Sequence, residues 1–360
     1  MARALFRILS AGLIAALLGL GPILAAQAFA QVSERAGAGA DPNQPVPPGL
    51  ESRTPSPQMT KPGDVPLDIP HEDKVVGRVS IPDAKLAVLV QPEGREWRAF
   101  RMETLQWVAG GLILFTVVAL LAFYLIKGRI RIERGRSGRW VPRFGFFERF
   151  AHWTTAVSFI ALALSGMVIT FGRFLLIPLI GHDAFFVAAD GAKYLHNFSS
   201  LPFVLGIVVM FLAWVRDNIP EKADVVWIRT LGGMGRGGHA EHPETGRFNA
   251  GQKGIFWGVV LGGAAVAVTG YMLMTPFAVT GIGGQQILHV VHALLAALMI
   301  AMILAHIYIG TVGMEGAFDA MGRGEVDENW AIEHHRGWYE AQRRQVPPAG
   351  VGTTYRAGAE

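Results

Sequence analysis

Cysteine is absent from the 360 residues of this sequence. The chain therefore forms no disulfide, binds no iron–sulfur cluster through its own thiolates and attaches no cofactor through thioether bonds. Any redox cofactor that this chain holds must be bound by histidine or methionine, or without a covalent bond.

Charged side chains are also scarce, at 17% of the residues, whereas 51% are hydrophobic. The apolar residues form several long runs without charge, which is the pattern of an integral membrane protein. The net charge of +4 does not indicate a nucleic-acid partner, because the basic residues lie in the loops between these runs, where membrane orientation accounts for them.

Five of the runs are long enough to cross a bilayer as helices, which takes about 20 residues. Their apolar interiors contain no acidic residue, which argues against a proton-conducting subunit, since that class needs carboxylates within the membrane. We expect spanning helices at Leu105–Ile126, Phe147–Phe171 and about Tyr194–Val215, a fourth within Ile255–Leu288 that ends near Pro276, and a fifth within residues 285–315.

The N-terminal 30 residues have the composition of a secretory signal. Arg3 and Arg7 form the basic start, an apolar stretch follows, and Ala28-Phe29-Ala30 matches a cleavage site. Because the apolar stretch is rather long, an uncleaved anchor is the alternative. Either arrangement places the next segment outside the cytosol.

Residues 31–73 and 74–104 differ in composition. The first segment carries nine prolines and predicts an extended linker. The second has β-branched runs at Val75–Ile81 and Leu86–Val90, which predict a short hairpin. This hairpin would be either a docking segment for another subunit or a passive spacer.

Loop charges predict the orientation of the spans. Residues 127–149 carry eight Lys or Arg and residues 216–253 carry six, whereas residues 172–193 carry two and residues 276–287 none. Positively charged loops stay in the cytoplasm. We therefore expect a periplasmic N-terminal segment and a cytoplasmic tail at residues 315–360, in agreement with the signal sequence.

Histidines in the fifth span are the most informative residues. His292 and His306 are 14 positions apart, so they lie within roughly 40° on one helix face, with a rise of about 21 Å. A neutral imidazole is a good axial ligand for haem iron. The alternative is a pair of histidines hydrogen-bonded to neighbouring helices.

The predicted topology supplies a partner at each depth. His152 starts the second span at the depth of His306, and His196 starts the third at the depth of His292. This arrangement predicts two haems of the b type, with iron centres about 20 Å apart across the bilayer. Six other histidines are assigned lesser roles: an interface polar group (His289), a weaker competitor of His196 (His182) and solvated side chains (His239, His242, His334 and His335).

Several segments resemble the cytochrome b (gamma) subunit of membrane-bound respiratory formate dehydrogenases. They are spread over residues 140–342 and comprise Phe147–Trp153 (FERFAHW), Arg216–Ile219 (RDNI), Gly246–Lys253 (GRFNAGQK), Ala305–Tyr308 (AHIY) and His334–Tyr339 (HHRGWY). The extra segments before residue 130 depart from the short four-helix form of that family.

The resemblance implies a role for particular residues. It assigns haem b ligation to His152, His196, His292 and His306, and quinone binding near the cytoplasmic face to Asn249, Gly251 and His306. An alternative role for Asn249 is to cap the fourth helix. The implied partners are an iron–sulfur (beta) subunit, a molybdenum- or tungsten-containing catalytic (alpha) subunit, membrane lipid and menaquinone or ubiquinone.

We therefore expect an all-α membrane protein: a four-helix di-haem cytochrome b domain at residues 140–314, an extra transmembrane helix at residues 105–127 and a small periplasmic N-terminal segment. In the bacterial inner membrane it would carry electrons from the periplasmic iron–sulfur subunit to quinone. It would lack the formate-oxidising site. The alternatives are a cytochrome b subunit of a nickel–iron hydrogenase or thiosulfate reductase complex, and a haem-free membrane anchor.

Overall fold

The computed structural model describes residues 64–66, 78–80, 94–230, 232, 244–276 and 278–345. Within them, five helices are long and apolar enough to cross a membrane. In chain order they are Glu96–Lys127, Phe146–Leu175, Ile177–Trp214, Ala250–Met274 and Ile282–Gly313, here called the first to the fifth span. Since a bilayer offers no hydrogen-bond partner to the backbone, such apolar segments must satisfy their amides internally as helices. The expected all-α membrane fold is confirmed.

The first span begins before its apolar run. It consists of α1 (Gly94–Ala99), a π-helical turn (Phe100–Leu105) and α2 (Gln106–Lys127). The helix therefore extends into the polar residues that precede the predicted start at Leu105.

The second and third spans form an antiparallel pair, α3 (Phe146–Leu175) and α4 (Ile177–Trp214), joined at Leu176. The third span was expected to start near Tyr194, but helix already begins at Ile177 and is interrupted only at Gly181, where φ is +78°. Left-handed backbone of this kind suits glycine, which has no Cβ. Thus the predicted outer loop is largely helical.

Small residues bring the helices of this pair close together. A Cβ on Gly206 of the third span would collide with Thr155 of the second, and a Cβ on Gly172 would lie 2.6 Å from the ring of Phe185. Close approach at small residues is typical of membrane helices, which gain no hydrophobic free energy from association in lipid.

The fourth and fifth spans contain π-helical turns within α-helix. The fourth has α6 (Ala250–Trp257), a π-helical turn (Gly258–Gly262) and α7 (Gly263–Met274), and the fifth has α8 (Ile282–Tyr308) followed by the turn Ile309–Gly313. Gly258 and Gly262 pack against Met302 and Met299, so these stretches run antiparallel.

Short elements complete the described structure. They are α5 (Lys222–Arg229) between the third and fourth spans, and α9 (Ala317–Gly322), α10 (Glu328–His334) and α11 (Arg336–Gln345) in the tail. Two strands, β3 (Trp140–Pro142) and β4 (Glu325–Asp327), pair antiparallel and join the loop before the second span to the tail.

Two short strands occur in the N-terminal part of the chain. Strand β2 (Arg78–Ser80) falls in the first predicted run, but it pairs antiparallel with β1 (Asp64–Pro66), within the predicted linker. Gly94–Ala99 is helical because it continues into the first span, where each added residue gains a hydrogen bond. Leu86–Val90, the signal segment, His239, His242 and residues 346–360 lie outside the described residues.

The chain divides into two compact units. Unit 1 comprises Met1–Val108 with Val268–Leu294, and unit 2 comprises Ala109–Ala267 with Leu295–Glu360. The core of unit 2 includes the fully buried side chains of Ile207, Val260 and Val326.

Candidate functional site

His152 and His306 come together inside unit 2. His152 lies in the second turn of α3, and His306 lies in the last turn of α8. Their imidazole centres are 6.1 Å apart, with an angle of 62° between the ring planes. Two imidazoles that bind one metal from opposite sides, each through a nitrogen about 2 Å from it, have centres about 6 Å apart. The spacing of the two rings therefore fits a shared metal centre.

The donors around this pair fit haem iron better than a closed metal site. No group of three or more His, Asp or Glu side chains that could hold a metal ion occurs among the described residues. Haem needs only axial ligands from the protein, because the porphyrin supplies the other four. Nδ1 of His152 is buried without a hydrogen-bond partner in the described structure, so this ring is not held there as an ordinary structural histidine.

His196 lies against the second span within unit 2. Its Nδ1 is 3.0 Å from the carbonyl oxygen of Leu162 and 3.0 Å from Oγ of Ser165. A carbonyl oxygen can only accept, so Nδ1 carries the proton and the lone pair of the neutral ring is on Nε2. This tautomer is the one that can coordinate iron through Nε2.

His292 has a similar contact within unit 1. Its Nδ1 lies 3.0 Å from Oγ1 of Thr269 in α7. Sequence reasoning missed both Ser165 and Thr269. A signal was nevertheless present, because each hydroxyl residue is followed by glycine, in Ser165-Gly166 and Thr269-Gly270.

The structure also places two histidines that had been given lesser roles. His289 lies edge-on to the ring of Trp97, with centres 5.8 Å apart in unit 1, which agrees with an interface role. His182 is exposed in α4, one residue after the break at Gly181.

An ion-pair network connects three of the sequence motifs in unit 2. Arg247 binds Glu148 at 2.7 Å and Asp217 at 3.0 Å. Glu148 also accepts a hydrogen bond of 2.7 Å from the indole of Trp214. The FERFAHW, RDNI and GRFNAGQK segments thus meet at the ends of the second, third and fourth spans.

Lys253 forms a separate ion pair at the start of the fourth span. Its side chain is buried, and Nζ lies 2.9 Å from Asp224 and donates to the carbonyl oxygen of Ile219 at 3.1 Å. A buried ammonium is tolerated because the carboxylate and the carbonyl replace its lost hydration. The pair ties α5 to α6.

His335 was predicted to be solvated, and this prediction is wrong. The side chain is fully buried, with Nδ1 3.0 Å from the carbonyl oxygen of Gly246 and Nε2 3.1 Å from Nη2 of Arg143. The arginine can only donate, so Nε2 accepts and the ring is neutral. Burial, with the charge of Arg143, lowers the pKa of His335 well below 6.5.

Arg143 is itself buried among aromatic rings. Its guanidinium lies 4.8 Å from the ring centre of Trp338 and 5.3 Å from that of Trp330, and it donates to the carbonyl oxygen of Arg247 at 2.7 Å. Burial and then the charge of Arg247 lower its pKa to about 9, so Arg143 remains a cation at neutral pH. The tail is thereby locked onto the loop that precedes Asn249.

Asn249 and Gly251, the predicted quinone residues, have structural roles of their own. Oδ1 of Asn249 accepts from the Gln252 amide at 3.0 Å, and Oε1 of Gln252 accepts from the Asn249 amide at 3.1 Å, which is a complete capping box. The alternative role of Asn249 as a helix cap is confirmed. Gly251 faces Trp227, whose ring carbon would lie 2.8 Å from a Cβ at that position.

Asn249 and His306 lie near the same end of unit 2. Gly258 packs against Met302 and gives a common reference point for the two helices. Asn249 precedes Gly258 by nine residues, about 13 Å of helix, and His306 follows Met302 by four residues, about 6 Å in the same direction. Along the helix axes, the positions of Asn249 and His306 therefore differ by roughly 7 Å.

Five apolar helices define a helical integral membrane protein, and two imidazoles with centres 6.1 Å apart lie between two of these helices. The model of the prokaryotic cytochrome b561 family matches residues 143–324, just over half of the chain, and the chain belongs to this family. A cytochrome b carries haem b, so this is the class of its cofactor.

Curated relatives share this region. The chain is 28% identical over 205 residues to the cytochrome b556(Fdn) subunit of the nitrate-inducible formate dehydrogenase of Escherichia coli K12, covering 56% of this chain and 92% of that protein. It is 28% identical to the cytochrome b556(fdo) subunit from the same organism, covering 57% and 94%. A formate dehydrogenase cytochrome b556 subunit of Haemophilus influenzae is 25% identical, covering 54% and 80%.

Proposed function

We propose that this protein is the di-haem b membrane subunit of a formate dehydrogenase complex and carries electrons across the membrane to quinone. The names of the relatives and the family support this function. The observation that carries the proposal is the His152–His306 pair, with imidazole centres 6.1 Å apart between two membrane-spanning helices.

The proposed ligands of the inner haem are His152 and His306, and those of the outer haem, from their sequence depths, are His196 and His292. Each outer histidine is oriented by a hydroxyl of a neighbouring helix. Bound haem b would supply one-electron transfer between its ferric and ferrous states. The basic loop at residues 127–149 would place the inner haem near the cytoplasm.

The proposed quinone site uses Asn249, Gly251 and His306. Asn249 and His306 lie near the same end of unit 2, and the segment around Asn249 is held by its capping box and by a contact between Gly246 and His335 of the tail. A quinone that takes two electrons also needs two protons. The Lys253–Asp224 ion pair lies at this end of unit 2 and gives the proposed site polar surroundings.

The composition of the chain supports partner subunits for the proposed function. It has no cysteine and thus no ligands for an iron–sulfur relay. We therefore propose a periplasmic iron–sulfur subunit as the electron donor and a molybdenum- or tungsten-containing subunit as the site of formate oxidation. The N-terminal segment with strands β1 and β2 would lie on the same side of the membrane.

Haem quantitation with reduced-minus-oxidised spectra of the purified complex tests the ligand assignment. We expect two b haems per chain in the wild type, and loss or alteration of one haem in each of His306→Ala and His292→Ala. His289→Ala is a matched control from the same helix and should keep both haems. A well-folded wild-type complex without haem would leave the chain as a membrane anchor and contradict the proposal.

The electron donor is tested in native membranes. Formate should reduce the b haems, and a quinone analogue should reoxidise them. Reduction by hydrogen but not by formate would instead support a nickel–iron hydrogenase subunit. Copurification of the chain with thiosulfate-reducing activity, without formate-dependent reduction, would support the thiosulfate reductase alternative.

A further inference from the structure

Two hydroxyl–glycine pairs make the same contact with a histidine of a neighbouring helix. The hydroxyl oxygens of Ser165 and Thr269 are each 3.0 Å from Nδ1 of their histidines, His196 and His292. A Cβ on the following glycine would lie 3.3 Å from Cε1 of His196 at Gly166, and 3.1 Å from Cε1 of His292 at Gly270. Each pair therefore combines a polar contact to the imidazole with room for its edge.

The direction of the contact at Ser165 follows from its other hydrogen bonds. Oγ of Ser165 donates to the carbonyl oxygen of Ala161 at 2.6 Å, as serine often does within a helix. Its single proton is thus used, and the oxygen accepts from Nδ1 of His196. The carbonyl oxygen of Leu162 accepts from the same N–H at 3.0 Å.

The contact at Thr269 has the same length and leads to the same nitrogen. A threonine hydroxyl both donates and accepts, so it can take the Nδ1 proton of His292 as Ser165 takes that of His196. If it does, Nε2 of both histidines carries the lone pair. An outer-shell acceptor of this kind sets the tautomer and orientation of a metal-binding histidine and raises its basicity.

We propose that Ser165 and Thr269 are positioning residues for the ligands of the outer haem. They hold Nδ1 so that Nε2 of His196 and of His292 faces iron, and the adjacent glycines admit the rings. This proposal rests on the proposed function and adds two residues that act through the ligands. A purely structural role, in which the hydroxyls only pack the helices, would leave the electronic properties of the haem unchanged.

The two roles predict different reduction potentials. A more basic imidazole stabilises ferric over ferrous iron, so removal of the acceptor should raise the midpoint potential of the outer haem. A tenfold loss of the ferric preference corresponds to about 59 mV for a one-electron couple. The effect at Ser165 should be smaller than tenfold, because the carbonyl oxygen of Leu162 still accepts from His196.

Potentiometric titration of both b haems in the purified complex tests this, together with low-temperature electron paramagnetic resonance of the ferric state. The variants are Ser165→Ala, Thr269→Val and the conservative Thr269→Ser. Ser158→Ala is a matched control, since Ser158 is also buried on the second span and donates to the carbonyl oxygen of Thr154 in its own helix.

We expect Thr269→Val to raise the potential of one haem by about 59 mV, a tenfold change, and to shift its low-spin resonance. Thr269→Ser and Ser158→Ala should match the wild type. Loss of one haem in Thr269→Val but not in Thr269→Ser would also support the proposal. Unchanged potentials in Ser165→Ala and Thr269→Val, or equal shifts in Ser158→Ala, would overturn it, with two b haems still present. A wild type without haem would instead remove the proposed function and this inference together.

Discussion

The carboxylate of Glu148 and the guanidinium of Arg247 lie 2.7 Å apart, although 99 residues separate them. Arg247 also binds Asp217, so one side chain joins the ends of three membrane-spanning helices. On one side of Arg247, the carbonyl oxygen of Gly246 contacts the buried His335. On the other side, the chain reaches Asn249, which caps the fourth span. The ion pairs of Arg247 therefore hold together the helix ends near which the proposed inner haem and quinone sites lie.

Replacement of Arg247 by alanine should destabilise the protein. Glu148 would lose a charged donor at a half-buried position, and a hydrogen bond to a charged group contributes about 1.5–3 kcal/mol. We expect the free energy of unfolding to fall by about 2 kcal/mol. The ion pair with Asp217 adds little to this value, because the Asp217 side chain is 38% exposed and water screens the pair. Thermal unfolding followed by tryptophan fluorescence measures the change. Arg344→Ala removes an arginine that is 81% exposed and should have almost no effect.

Alanine at position 251 should disturb the packing of Trp227. The new Cβ would lie 2.8 Å from the indole ring, and forced overpacking costs about 1–3 kcal/mol. Gly254→Ala is a control in the same helix, because a Cβ there meets nothing within 4 Å, and it should be neutral or stabilising by up to about 1 kcal/mol. Melting temperatures and quinone reductase activity should be measured for both variants.

A second substitution separates packing from quinone binding at Gly251. Trp227→Leu should relieve the collision and restore the melting temperature of the Gly251→Ala variant. If quinone reduction also returns, Gly251 acts through packing alone. If it stays low at restored stability, the position itself contacts the quinone, as the proposed site requires.

Serine at position 249 should separate the two roles of Asn249. Serine caps helices about as well as asparagine, whereas alanine costs about 1 kcal/mol. We therefore expect Asn249→Ser to keep the stability of the wild type and Asn249→Ala to lose it. If the side-chain amide binds quinone, both variants should have a raised KM for quinone. A normal KM in Asn249→Ser would restrict Asn249 to capping.

Acidification should destabilise unit 2 through His335. Burial and the charge of Arg143 hold the pKa of His335 below 6.5, so below that pH the unfolded chain binds a proton that the folded chain does not. The free energy of unfolding is therefore highest above pH 6.5. It decreases as the pH falls below this value, by up to about 1.4 kcal/mol per pH unit. Melting temperatures between pH 7 and pH 5 should fall less in His335→Gln than in the wild type. His182 is exposed, and the His182→Gln variant serves as the control, whose melting temperature should fall as much as that of the wild type. An equal fall in the wild type and both variants would contradict the assignment to His335.

Sequence patterns predicted the spans well, because each depends on about 20 consecutive residues. All five predicted spans occur, and helix boundaries are the part that differs. The third span starts at Ile177 rather than near Tyr194 because Arg173, His182 and Lys193 gave that stretch the appearance of a loop. Charged residues near the ends of a helix do not prevent it from forming.

Contacts between residues that are distant in the chain were harder to predict from the sequence. Arg143 and His335 are 192 positions apart, and nothing near either residue indicates the other. The same holds for Gly251 and Trp227, and for the pairing of β2 with β1. A hydrophilic composition around His335 predicted exposure, yet the aromatic side chains of the tail bury it.

The sequence by itself determined the membrane class, the five spans and the spacing of His292 and His306, because hydrophobic length and helical periodicity are local properties. Only the tertiary structure decided other contacts between distant residues: Ser165 with His196, Glu148 with Arg247, and Arg143 with His335. Such contacts depend on how helices distant in the chain pack, and packing is set by the shapes of many side chains at once.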